Sequence, residues 1–66
     1  MNIKKSIEHF MYELRLNASQ LAAKSGMSPP SFSKIRNGTT VPTIPTIIKL
    51  ADACDVKISE FIAAGE

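Results

Sequence analysis

The stretch Asn17-Ala18-Ser19-Gln20-Leu21-Ala22-Ala23-Lys24-Ser25-Gly26-Met27-Ser28-Pro29-Pro30-Ser31-Phe32-Ser33-Lys34-Ile35-Arg36-Asn37-Gly38 decides how this chain folds. Asn17 is a preferred helix N-cap, and Gln20, three residues on, is long enough to reach back to the cap amide as the reciprocal half of a capping box. A helix starts there, turns Leu21 and Ala22 inward, and stops at Gly26 after about two turns, because glycine accepts the left-handed conformation that ends helices. Only Met27 separates Gly26 from the next start signal, Ser28. Pro29 and Pro30 then fall in a first turn, where backbone N–H groups have no intrahelical partner and a φ near −65° is already helical. Pro30 has no N–H to offer the Ser28 hydroxyl, so the cap bond is expected from the Ser31 N–H. Phe32 and Ile35, three apart, point inward, and Gly38 closes this second helix.

Upstream, Ile3, Ile7, Phe10, Met11 and Leu14 follow spacings of four, three, one and three, which stack them on one helical face. Downstream, Thr39 to Thr43 reads as a loop. Thr43 then caps a fourth helix with Pro45 in its first turn and Ile44, Ile47, Ile48, Leu50, Ala51 and Cys54 over a wide apolar arc. A last short helix near Ser59 to Ala64 presents Phe61 and Ile62, with Gly65 as its stop. No strand-like alternation occurs, nor any linker, nor any repeat beyond Pro-Thr-Ile-Pro-Thr. The expected fold is all-α: a compact bundle of five short helices in which helices 2 and 3 form a helix-turn-helix.

Sixty-six residues, 44% of them hydrophobic, close one small core, so residues 1–66 are expected to be a single domain with no small-molecule effector domain. Cys54 is alone, which leaves no disulfide framework, and a core this small favours very regular packing or an oligomer. The N-terminal residues lead into an amphipathic pattern, and no apolar run approaches the roughly 18 residues of a membrane span, so a cytoplasmic protein without membrane contact is expected. His9 has no second ligand at metal spacing, the serines have no base partner, and no glycine-rich phosphate loop is present. Neither an enzyme nor a metal or other cofactor is indicated. Cys54, on the apolar face of helix 4, reads as a buried packing thiol ahead of a redox sensor.

The net charge of +2 says little, but its distribution says more. Arg15, Lys24, Lys34, Arg36 and Lys49 lie in a stretch without an acid, whereas from Leu50 onward Asp52, Asp55, Glu60 and Glu66 outweigh Lys57. The middle of the chain is suited to a polyanion, although an ordinary solvated surface would show the same pattern. Two short helices joined by a tight turn cannot lie side by side, so the second exposes its N-terminal end. That end carries Ser28, Pro29, Pro30 and Ser31, small enough for close approach to base edges, and a helix N-terminus attracts phosphate oxygens.

The pattern Leu21-Ala22, Gly26, Ser28, Phe32, Ile35, Gly38, Pro42, Leu50-Ala51, Val56 and Phe61 resembles the lambda-repressor-like, Xre/Cro-type helix-turn-helix family over about Ile3 to Ile62. The resemblance implies a transcriptional regulator of double-stranded DNA, a homodimer that sets one helix 3 per half-site into the major groove. By position it implies base reading by Pro29, Pro30, Ser33 and Lys34, beside Ser28 and Ser31 at the tip. It implies phosphate contacts from Asn17, Asn37, Thr39 and Thr40.

Two departures from the family change the expectation. The family commonly has Gln at the start of helix 2 and amides at the tip of helix 3, where this chain has Ala18, Pro29 and Pro30. Prolines offer apolar contact to thymine methyls but no hydrogen bond, so hydrogen-bonded base readout falls mainly to Lys34, which can donate to guanine O6 and N7. Preference is then weak or shape-based. Many members also join helix 1 to the end of helix 3 by an Arg–Glu bridge; those positions here are Met11 and Arg36. No orphaned charge results, and Arg36 is left either to meet a phosphate or to pair with Glu8 or Glu13, the pairing being slightly favoured. Phe61 is assigned to the core and Ile62 to the core or a dimer contact. Two rival readings keep the fold: an antitoxin-like protein-interaction module, and a weak architectural DNA binder.

Overall fold

A computed structural model describes residues 2–66. Five helices follow in order: α1 (Ile3–Leu14), α2 (Ala18–Lys24), α3 (Pro29–Arg36), α4 (Ile44–Ala53) and α5 (Ile58–Ala63), with no strand among the described residues. α2 packs chiefly on α3, α1 closes over α3 and α5, and α4 lies against α2 and α5. Ile7, Leu21, Phe32, Ile47, Leu50 and Phe61 are fully buried where these faces meet. The Phe10 ring stacks on Phe61 with centroids 5.7 Å apart, which ties α1 to α5.

The start signals at the centre of the chain act as expected. Asn17 Oδ1 accepts the Gln20 N–H at 2.8 Å while Gln20 Oε1 accepts the Asn17 N–H at 2.9 Å, a complete capping box. Ser28 Oγ accepts the Ser31 N–H at 3.4 Å, with both prolines in the first turn. Leu16, Met27 and Val56 each stand just before an N-cap, and Leu21, Phe32 and Phe61 stand at the fourth helical position after it, the arrangement of a hydrophobic staple. Each first member is partly buried against the core and each second is buried.

One device ends four of the helices. A left-handed residue stands at the cap of α1, with φ 54° at Arg15, and just after the caps of α2, α3 and α4, with φ 70° at Gly26, 78° at Gly38 and 58° at Asp55. At each, its N–H bonds the carbonyl three residues back, and the next N–H bonds the carbonyl five back. Examples are Gly26 to Ala23 and Met27 to Ala22, at 3.1 and 3.0 Å, and Asp55 to Asp52 and Val56 to Ala51, both 3.0 Å. This six-residue closure satisfies carbonyls that the helix itself leaves open.

Other expectations need correction. Leu14 is 42% exposed, although Phe10 and Met11 before it pack against the core, and Ser6 takes an inner position. Ile44 and Ile48 are exposed, since α4 contacts the body only through the face holding Ile47, Leu50, Ala51 and Cys54. Thr43 precedes α4 without a side-chain cap bond; its hydroxyl lies 3.1 Å from that of Thr46. The last helix spans Ile58–Ala63 in place of Ser59 to Ala64. Gly65 has no left-handed φ; it is glycine because a Cβ there would overlap the Asn2 carbonyl and the Ser6 hydroxyl. Beside it Lys5 Nζ donates to the Glu66 carbonyl at 2.8 Å, joining the start of α1 to the end of α5.

Cys54 is buried as expected, and burial pushes its thiol up, with Lys24 acting weakly the other way. Ser25 is also buried, and its hydroxyl has no partner.

Candidate nucleic-acid interface

α3 buries Phe32 and Ile35 and exposes the rest of its first two turns: Pro29, Pro30, Ser31, Ser33 and Lys34 all face solvent, as does the cap Ser28. At this tip the hydroxyls form a directed chain. The Ser31 N–H donates to Ser28 Oγ, and Ser28 Oγ donates to Ser31 Oγ at 3.0 Å. The Ser28 proton is therefore used within the protein, and the Ser31 hydroxyl is the one left to donate outward. Since prolines donate nothing, Ser31 and Lys34 are the side-chain donors of the tip and first exposed turn besides Ser33.

The exposed surface of α3 divides by helical register. Pro29, Ser33 and Asn37 stand four apart and form one side of a cavity of about 210 Å³ between α3 and the start of α2. Ala18 and Ser19 of α2, with Phe32 and Arg36, complete its lining. Pro30, Ser31 and Lys34 lie outside it. The sequence-derived residues are thus only partly gathered: the cavity collects Pro29, Ser33, Arg36 and Asn37 but not Asn17, Ser28, Thr39 or Thr40. Asn37 Nδ2 donates to Ser33 Oγ at 3.3 Å, so these two act as a pair.

Asn17 spends its side-chain oxygen on the cap and keeps its NH2 group for another acceptor. Thr39 and Thr40 are exposed, their N–H groups both directed to the Lys34 carbonyl at 2.9 and 3.3 Å. Thr40 borders a different hollow, with Ile3, Lys4 and Val41. Arg36 is half-buried and makes no ion pair with Glu8, Glu13 or any other carboxylate among the described residues. The expected pairing with helix 1 is therefore not formed, and Arg36 is among the residues that line the cavity between α2 and α3. Ser19 was missed in the sequence. Its only signal is register: it follows Ala18 on the exposed side of α2's first turn, and nothing local announces that α3 lies across from it.

His9 is exposed, its ring edge-on to Phe10 at 4.9 Å, and no group of three or more metal-ligating side chains is found among the described residues. Among the described residues, no helix is long and apolar enough to cross a membrane.

An all-helical fold with a Gly-centred turn between two short capped helices, the second exposed, is the architecture of a helix-turn-helix, and the sequence pattern of the helix-turn-helix family matches residues 11–61. The chain belongs to this family, the lambda-repressor-like class of DNA-binding regulators. Among known proteins it is similar to the cryptic phage CTXphi transcriptional repressor RstR of Vibrio cholerae serotype O1, with 30% identity over 60 residues, which are 91% of this chain and 54% of that repressor. The chain spans about half the length of that curated relative.

Proposed function

We propose that this chain is a transcriptional repressor that binds DNA as a homodimer, one α3 per half-site in the major groove, with half-sites about 34 Å apart. The observation that carries the reading is the outward face of α3. Ser28, Pro29, Pro30, Ser31, Ser33 and Lys34 are all exposed, all small or basic, within an acid-free stretch from Arg15 to Lys49. Similarity to a phage repressor supports the repressor role. Base reading is assigned to this set, with Lys34 and Ser31 donating and the prolines meeting thymine methyls. Phosphate contact is assigned to Asn17, Arg36, Asn37, Thr39 and Thr40, which position the protein without reading sequence.

Selection of bound duplexes from a random pool, followed by titration across salt, tests the reading. Two half-sites one helical turn apart are expected, and log K falling with log salt at a slope of about −5 to −7 if the dimer neutralises roughly six to eight phosphates. Binding indifferent to salt would overturn it. Lys34→Ala is expected to relax base preference, and Asn37→Ala to weaken all sequences alike. An antitoxin-like interaction module is the second reading, favoured by a Pro-Pro tip poor in donors and by the exposed Val41 and Ile44. It predicts that the purified chain shifts no DNA until a partner protein is added.

A further inference from the structure

Resting on the DNA-binding reading above, we infer that Asn37-Gly38 at the end of α3 is a self-modification site: Asn37 loses its amide nitrogen to become a carboxylate, and the protein is thereby released from DNA. Asparagine followed by glycine is the pair most prone to this reaction, because no Cβ hinders the approach of the next backbone nitrogen to the side-chain carbon. The other asparagines, Asn2 and Asn17, precede Ile3 and Ala18 and lack that opening. Asn37 and Gly38 are both exposed, so water reaches them. Lys34 and Arg36 lie close by in a stretch without an acid, and their charge favours the anionic nitrogen that attacks.

The reaction needs only water. The Gly38 nitrogen, its proton taken by hydroxide, bonds to Asn37 Cγ; the Cγ–Nδ2 bond breaks, and ammonia leaves with its third hydrogen drawn from water. The five-membered imide then adds water at one of its two carbonyls. Opening at Cγ gives aspartate; opening at the backbone carbon gives isoaspartate, with the main chain rerouted through the side chain. Nothing is oxidised or reduced.

The fold restrains this chemistry. Asn37 caps α3 at φ −82°, ψ −2°, the Gly38 N–H donates to the Ile35 carbonyl at 3.1 Å, and Asn37 Nδ2 donates to Ser33 Oγ at 3.3 Å. The attacking nitrogen and the leaving group are thus both held in the closed turn, and attack waits on fraying of this last turn, the least protected part of a helix. A duplex that contacts Asn37 keeps the turn closed, so the bound chain is spared and the free chain ages. The product sets a carboxylate against a phosphate. Its isoaspartate form also adds a backbone atom inside the closure that bonds Gly38 and Thr39 to Ile35 and Lys34.

The test is incubation of the purified, folded chain at physiological temperature, followed by peptide mass mapping and by fluorescence anisotropy with a fixed duplex. A gain of one mass unit confined to Asn37, with aspartate and isoaspartate both present, is expected, slowed about tenfold by duplex at about ten times its Kd. The modified fraction binds about 10- to 100-fold more weakly, as does Asn37→Asp made directly. Asn37→Gln, whose longer side chain closes a six-membered ring far more slowly, keeps its mass and its starting affinity throughout. Modification at Asn2 or Asn17 instead, or a folded chain unmodified at Asn37 while the urea-unfolded chain reacts there, overturns the site. A modified chain that binds as tightly as fresh protein overturns the release. A fresh chain that binds no duplex overturns the DNA-binding reading and the release with it, while the mass readout still decides the site itself.

Discussion

The turn between α2 and α3, Ser25-Gly26-Met27-Ser28, and the turn between α4 and α5, Cys54-Asp55-Val56-Lys57, are the same piece of backbone written in different residues. Ser25 and Cys54 end their helices at φ −81°, ψ −5° and φ −88°, ψ −2°. Gly26 and Asp55 follow at φ 70° and 58°. Ser28 and Lys57 then open the next helix at φ −70°, ψ 149° and φ −72°, ψ 154°. Both turns deliver a phenylalanine, Phe32 and Phe61, to the core at the fourth position of the new helix. In the first turn nearly every residue favours its conformation, with glycine at the left-handed site and a serine cap that bonds its helix. In the second, an aspartate occupies the left-handed site and the lysine cap makes no side-chain bond. The first turn is therefore encoded locally, whereas the second is held by what packs on it, and the locally encoded one carries the proposed interface.

The comparison is broken most severely at the phenylalanines. Phe32→Ala and Phe61→Ala are each expected to cost about 3–5 kcal/mol, enough to unfold a core this small, because both rings are buried in one cluster. Far-UV circular dichroism melts check this; one variant folded and the other not would mean that the two halves are not a single cooperative core. Next come the left-handed sites. Gly26→Ala is expected to lose about 1–2 kcal/mol from backbone strain alone, since a Cβ there meets nothing within 4 Å. Asp55→Gly, the reverse exchange, is expected to gain about 0.5–1 kcal/mol, and urea denaturation midpoints should move in opposite directions.

A smaller effect lies at the position before each left-handed residue. Ser25 buries a hydroxyl without a partner where its counterpart Cys54 buries a thiol. Ser25→Ala is expected to raise stability by about 1 kcal/mol, and a loss of that size would show that the hydroxyl finds a partner in solution. The smallest change concerns the caps: Lys57→Ser should add about 0.5 kcal/mol by supplying the bond that Ser28 makes in the first turn. No shift in its melting temperature would mean that packing, not the missing cap, governs the start of α5.

This contrast explains what was legible in the sequence. α2, α3 and the turn between them could be read to within a residue because Asn17, Gln20, Gly26, Ser28 and the two prolines act through their own backbone neighbours. The bounds of α5 were less clear, as Lys57 is no cap residue and Asp55 no obvious stop. Ile44 and Ile48 looked like core because periodicity reports which residues share a face, not whether a neighbour covers it. For the interface, the composition of the α3 tip was plain from the chain. The unpaired state of Arg36 was only half legible: the loss of the family's Arg–Glu bridge could be read, but the absence of a pairing with Glu8 or Glu13 could not.

The sequence by itself determined the five helices, the capped turn and the acid-free stretch that α3 presents, because these follow from contacts within a few residues along the chain. Only the tertiary structure decided that Arg36 makes no ion pair with helix 1 and lines the same cavity as Ser19, that Gly65 is required by the Asn2 carbonyl, and that Pro29 and Ser33 border that cavity while Pro30 and Lys34 do not. Those outcomes depend on how distant helices are brought together by one shared core, and no local rule of capping or periodicity carries that information.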